Sequence, residues 1–186
     1  MDLPWGDEKT VKFITNVGLL TSYGPHGQNV MACEWTHHIS YSPGLIAVFL
    51  GIQKATVDNI RKTKEFGISL TSVEQSAFAS VAGGSSGKNV NKIKVLEYLG
   101  FKFYKAKKIK PLMVKDAAMN AECKLFKEIT FGDHIMFIGE VVEAQASDKE
   151  PLAYHQGKYW KMTTLLEKPS QEYRDNIKKL VEKYKK

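Results

Sequence analysis

The feature that most constrains this chain is a run of alternation in its second half. Ala121, Cys123 and Leu125 are apolar, and Glu122 and Lys124 between them are charged. That is the period-two pattern of a strand with one buried face. Phe131, Gly132 and Asp133 carry turn chemistry, and residues 134–144 resume as a strand with a mostly continuous apolar centre. Two such runs around a short turn make a long hairpin, and hairpin strands are antiparallel.

The first half agrees. Residues 13–23 (FITNVGLLTSY) read as a strand, 24–28 (GPHGQ) as a turn, and 29–41 as a second extended stretch that Ser42, Pro43 and Gly44 interrupt. Residues 45–50 form a buried strand and 66–70 another. Short helices are expected over 54–63, behind a capping box formed by Ser72 and Gln75, and over 91–99. A short strand is expected over 158–164 and a helix over 170–185, where Ser170 is the cap and Tyr173, Ile177, Leu180, Val181 and Tyr184 share a face. The expected total is six or seven strands, mostly antiparallel, with three or four helices. The fold class is therefore mainly β, a barrel with appended helices rather than a doubly wound parallel sheet. No linker divides the chain, so residues 1–165 are expected to be one domain and 166–186 a C-terminal helix.

With 186 residues and 43% hydrophobic composition, the chain can build a substantial core. The longest apolar run is six residues, too short for a bilayer span, and the first residues lack an apolar leader. The expectation is a soluble, cytoplasmic protein with no membrane partner. Cys33 and Cys123 are the two cysteines, without a CxxC, and reduced, buried thiols are expected. The net charge of +7 suits a solvated helix face, phosphorylated cofactors or nucleic acid. The basic residues show no interleaved stacking aromatics, so no nucleic-acid partner is expected.

Several segments could carry chemistry. Gly83 to Lys88 (GGSSGK) misses the phosphate-loop pattern at two positions: Ala82 stands where the first glycine belongs, and Asn89 where Ser or Thr belongs. It can form a small anion nest or a plain surface loop. Lys54, Ala55 and Thr56 open a helix directly after a buried strand, a place for a monophosphate or for ordinary capping. Cys33, His37 and His38 do not suit one metal ion, because four residues of extended chain span about 13 Å. No metal is expected.

At residues 29–48 the pattern becomes specific. NVMACEWTHHISYSP followed by LIAV resembles the flavin reductase-like family with an FMN-binding split barrel. The likeness continues through Lys54, Ala55 and Thr56 with Asn59 and Ile60, through residues 66–69 (FGIS), and through Ser85, Ser86, Gly87 and Lys88 with Lys92. It runs on through Gly132, Asp133 and His134 with residues 138–141 (IGEV), then Pro151, Leu152, Tyr154, Gly157 and Tyr159. It covers about residues 10–162.

The resemblance implies a six-stranded antiparallel split barrel with appended helices that binds FMN and uses NAD(P)H as co-substrate. It implies a homodimer with a small-molecule electron donor and acceptor. Backbone groups of Met31, Ala32, Cys33 and Glu34 would meet the isoalloxazine edge, and Asn29 would also belong to the cofactor site. Ser40, Tyr41 and Ser42 would line the ribityl chain or ring. Lys54, Ala55, Thr56 and Asn59 would hold the phosphate, with Ser85, Ser86, Gly87, Lys88 and Lys92 closing over the same cofactor. His134 would lie near the flavin and nicotinamide as the catalytic residue. A flavoredoxin-like carrier that does not use NAD(P)H directly, or a ferric reductase, would use the same FMN residues.

Overall fold

The computed structural model describes residues 1–185; Lys186, the last residue of the expected C-terminal segment, lies outside the described residues. The chain forms β1 (Thr15–Asn16), β2 (Gly18–Ser22), β3 (Asn29–Cys33), β4 (Thr36–Ser40), β5 (Leu45–Gly51), α1 (Ala55–Thr63) and β6 (Glu65–Leu70). There follow α2 (Ser76–Gly84), α3 (Lys92–Tyr98), β7 (Phe103–Lys105), β8 (Leu112–Val114), β9 (Met119–Phe131), β10 (His134–Ala146), β11 (Ala153–His155), β12 (Lys158–Trp160) and α4 (Gln171–Lys183). The capping box is present ahead of α2, with the Ser72 N–H donating to Gln75 Oε1 at 3.2 Å.

The main sheet is antiparallel in the order β3-β2-β6-β9-β10-β5-β4. The expected mainly-β architecture is therefore present, with seven strands rather than six. The extra strand comes from residues 29–41, which are not one extended stretch. They break at Glu34 and Trp35, where the Thr36 hydroxyl donates to Cys33 O at 3.0 Å and Phe49 N–H donates to Trp35 O at 3.0 Å. This corner carries the chain from β3, at one edge of the sheet order, to β4 at the other. Among the described residues no ladder pairs β3 with β4, so the sheet curls without a closing strand pair.

Period-two alternation sorts the side chains into two cores. Leu20, Val48, Leu50, Phe66, Ile68, Cys123, Ile135 and Phe137 fill the inner one, with Val57 and Ile60 of α1. Leu19 and Val30 point the other way and pack with Phe78, Ala79 and Ala82 of α2, Ile93 and Leu96 of α3, and Val114. Strand β2 is buried along its whole length because it serves both cores. Full burial of each large side chain contributes about 1.5–3 kcal/mol. Cys33 and Cys123 behave as small hydrophobes: burial pushes their thiols up to about 11 and about 12.

Three smaller features complete the chain. β7 and β8 form a two-stranded ladder, and β1, β11 and β12 a three-stranded one. Helix α4 has no buried residue, and Ser170 Oγ accepts from Tyr173 N–H at its start. No helix of the described residues is long and apolar enough to cross a membrane.

Candidate functional site

A cleft of about 690 Å³ opens where β3, the start of α1, the end of α2 and the β9–β10 turn converge. Asn29, Met31 and Ala32 come from β3, and Gly51, Ile52, Gln53, Lys54, Ala55 and Thr56 from the β5–α1 connection. Ala82, Gly83, Gly84, Ser85, Ser86 and Gly87 form the facing wall, and Lys92 and Asp133 complete it.

The cleft is built to receive negative charge. No side chain caps α1, and with Val57 N–H donating to Lys54 O at 3.0 Å, the N–H groups of Ala55 and Thr56 are the ones at its start with neither an intrahelical nor a side-chain acceptor. The Asn29 amide donates to Thr56 Oγ1 at 3.0 Å, which occupies an acceptor site of the hydroxyl and frees its hydrogen to donate elsewhere. Lys54 stands exposed at the N-cap. The side chain of Lys92 is buried, and its ammonium donates to Ala82 O at 2.9 Å and Ser85 O at 3.2 Å. Burial, and then the neighbouring charge of Lys54, pulls the Lys92 pKa down to about 8. No carboxylate of the described residues pairs with it, so the buried cation, held by two carbonyls at the end of α2, lines the cleft without an anionic partner.

Glycines shape the wall. A Cβ at Gly87 would fall inside the van der Waals surface of the Asn29 amide, and one at Gly83 would press on Ala32 at 3.3 Å. The backbone of the 83–87 segment therefore packs directly on β3.

Of the residues singled out in the sequence, Asn29, Met31, Ala32, Lys54, Ala55, Thr56, Ser85, Ser86, Gly87 and Lys92 come together around this one cleft. Others lie apart from its lining. The Cys33 thiol is buried toward Trp35 O and Phe49 O, each 3.6 Å away. Glu34 is half-buried at the β3–β4 corner, where desolvation raises its carboxyl above the usual range. Ser40, Tyr41 and Ser42 sit at the far end of β4 and in its turn, with Tyr41 exposed against His38. Asn59 is fully buried; its amide donates to Ser22 Oγ and Gly27 O and accepts from His26 N–H. Lys88 pairs with Asp58 at 3.5 Å. His134 does not line the cleft but follows the lining residue Asp133, with its Nδ1 2.7 Å from Asp133 Oδ1 and its ring 4.7 Å from that of Trp35.

Gly51, Ile52, Gln53 and Ala82 also line the cleft and are not candidates from the sequence; Gly83 and Gly84 belong to the segment that reads as an anion nest or surface loop, and Asp133 reads as part of a turn and of the family likeness, not as a site residue. Asp133 could have been read from its place before His134. The others contribute mainly by where the backbone passes, which residue type does not reveal.

The fold and this cleft define a class: an antiparallel β protein presenting a cationic, helix-capped pocket beside its sheet. The family model of the flavin reductase like domain matches residues 10–163, and the chain belongs to the flavin reductase-like family of flavoprotein oxidoreductases. An uncharacterised protein of Archaeoglobus fulgidus is 32% identical over 125 residues, 67% of this chain and 69% of that one. The NADH-dependent FMN reductase AsuE2 of Streptomyces nodosus subsp. asukaensis is 26% identical over 123 residues, 65% of this chain and 64% of its own length. This chain thus spans about two thirds of these relatives. Among solved structures, flavin reductase PheA2 in its native state superposes with a TM-score of 0.74 at 24% identity, covering 88% of this chain and 100% of that one.

Proposed function

We propose that the cleft holds FMN and that the protein reduces it with a nicotinamide nucleotide. The observation that carries this reading is the buried ammonium of Lys92, which has carbonyl but no carboxylate partners and lines the same cleft as Lys54 and the uncapped start of α1. A phosphate monoester supplies the missing negative charge, and the first turn of α1 supplies N–H donors for it. The donor set suits such a group: two lysines, the Thr56 and Ser86 hydroxyls and the N–H groups at the start of α1 belong to residues that line the same cleft. The similarity to an NADH-dependent FMN reductase supports both the cofactor and the donor.

In this reading Lys54, Thr56 and the α1 start hold the phosphate, and Ser85, Ser86 and Gly87 close over it. Asn59 acts one step back: it holds the 24–28 turn against α1. Backbone from Met31 to Glu34 borders the ring, and His134 stands at the open edge where a nicotinamide would enter. Bound flavin supplies the electron chemistry by accepting a hydride at N5. The chain orients it, excludes water and holds charge nearby. The proposed assembly is a homodimer, supported by apolar side chains left exposed on β4 and the β9–β10 hairpin, among them Ile39, Phe126 and Phe131.

An absorbance spectrum of the purified protein, before and after anaerobic NADH, tests the reading. Flavin bands that bleach on NADH support it. A protein that is colourless and gains no FMN on titration rules it out. Bands that persist point instead to an electron carrier.

A further inference from the structure

The 85–88 loop, of which Ser85, Ser86 and Gly87 line the cleft, belongs to neither a strand nor a helix. It is tethered at one end by Lys92, whose ammonium takes the Ser85 carbonyl, and packed in the middle by Gly87 on Asn29. Its other end carries Lys88, whose side chain does not line the cleft. The Lys88 ammonium lies 3.5 Å from Asp58 Oδ2 on α1. The same carboxylate oxygen lies 2.9 Å from His26 Nε2, from the turn between β2 and β3. Three separate segments thus meet on one carboxylate beside the α1 start.

We propose that Lys88 is a positioning residue that acts through Asp58: the pair latches the 85–88 loop over the first turn of α1. The role in ligand retention rests on the cleft being an FMN site; the latch itself does not. A lysine that served the phosphate directly would face the cleft, as Lys54 and Lys92 do. Lys88 instead faces a carboxylate that would otherwise repel an anion at the helix start. Asp58 is held below the usual carboxylate range, first by the His26 hydrogen bond and also by Lys88, so its charge is persistent and compensated.

The test uses the full-length protein and two readouts: amide hydrogen exchange of residues 85–90, and the dissociation rate of FMN by stopped-flow fluorescence. Lys88→Met and Asp58→Asn are each expected to speed both by the same factor, roughly three-fold for a half-exposed pair. The double variant should add nothing further, and Lys88→Arg should keep wild-type exchange. The thermal midpoint should stay unchanged, which separates the latch from a general structural role. The proposal is overturned if Asp58→Asn leaves loop exchange at the wild-type rate and slows FMN release while Lys88→Met speeds it, because Lys88 would then contact the ligand directly. Wild-type protein that binds no FMN would remove the cofactor reading, and loop exchange alone would still decide the latch.

Discussion

The side-chain amide of Asn29 donates to the Thr56 hydroxyl across 3.0 Å, and both residues are buried. The bond joins β3 to the first turn of α1 beneath the cleft and aims the Thr56 O–H away from Asn29. Thr56→Val keeps the shape, removes the outward donor and leaves the Asn29 amide unpaired. FMN affinity is expected to fall about five-fold, on the order of 1 kcal/mol. Fluorescence titration checks this; unchanged affinity would remove Thr56 from the phosphate set.

Lys92 should make FMN binding depend on pH. Its folded pKa, about 8, lies below the ordinary lysine value. The unfolded chain therefore binds the proton more tightly. Below about pH 8 the buried charge burdens the fold, and the burden lifts as pH rises from there toward the ordinary lysine range. A bound phosphate favours the charged form. Affinity should thus be level from pH 7 to about 8 and fall above it by up to about ten-fold per unit. Lys92→Met should abolish that bend in a plot of log Kd against pH.

Gly139 tests the inner core independently of the cleft. A Cβ there would collide with the Phe66 ring and lie 2.6 Å from the Cys123 Cβ. All three residues sit on paired central strands with nowhere to yield. Gly139→Ala should cost about 1–3 kcal/mol by overpacking. Calorimetry should show a Tm lower by roughly 2–12 °C.

His134 presents its Nδ1 to Asp133 and packs its ring, tilted by 36°, against that of Trp35, which leaves Nε2 as the other ring nitrogen. His134→Ala should lower kcat/KM for NADH on the order of ten-fold through lost orientation. FMN affinity should stay unchanged, because His134 does not line the phosphate end. A parallel loss of FMN binding would place it with the cofactor rather than the donor.

Helix α4 buries none of its residues. Truncation after Leu165 should therefore change stability by less than about 0.5 kcal/mol, as for other exposed changes. Tm and FMN affinity of the shortened chain check this. A large drop in Tm would mean that the helix docks on a second copy of the chain.

Much of this was legible in the residues. Alternation at Ala121, Cys123 and Leu125, turn chemistry at Gly132 and Asp133, and caps at Ser72 and Ser170 are local codes. Each acts within a few residues, so β9, β10, the entry to α2 and α4 could be read directly. Lys54, Thr56 and Ser86 were likewise visible as types suited to an anion, and Asn29 and Lys92 through the resemblance to the family. Other features needed the third dimension. The break at Glu34 and Trp35 depends on where Phe49 can donate, so one expected strand became two at opposite edges of the sheet order. Strands β7, β8 and β11 span three residues each, too few for a period to register. The different placements of Lys88, Asn59 and Lys92 were also undetermined by type. An ammonium or amide serves whichever partner the fold brings within about 3 Å. Only the tertiary structure set Asp58 beside Lys88, the 24–28 turn around Asn59, and the end of α2 against the buried Lys92 ammonium.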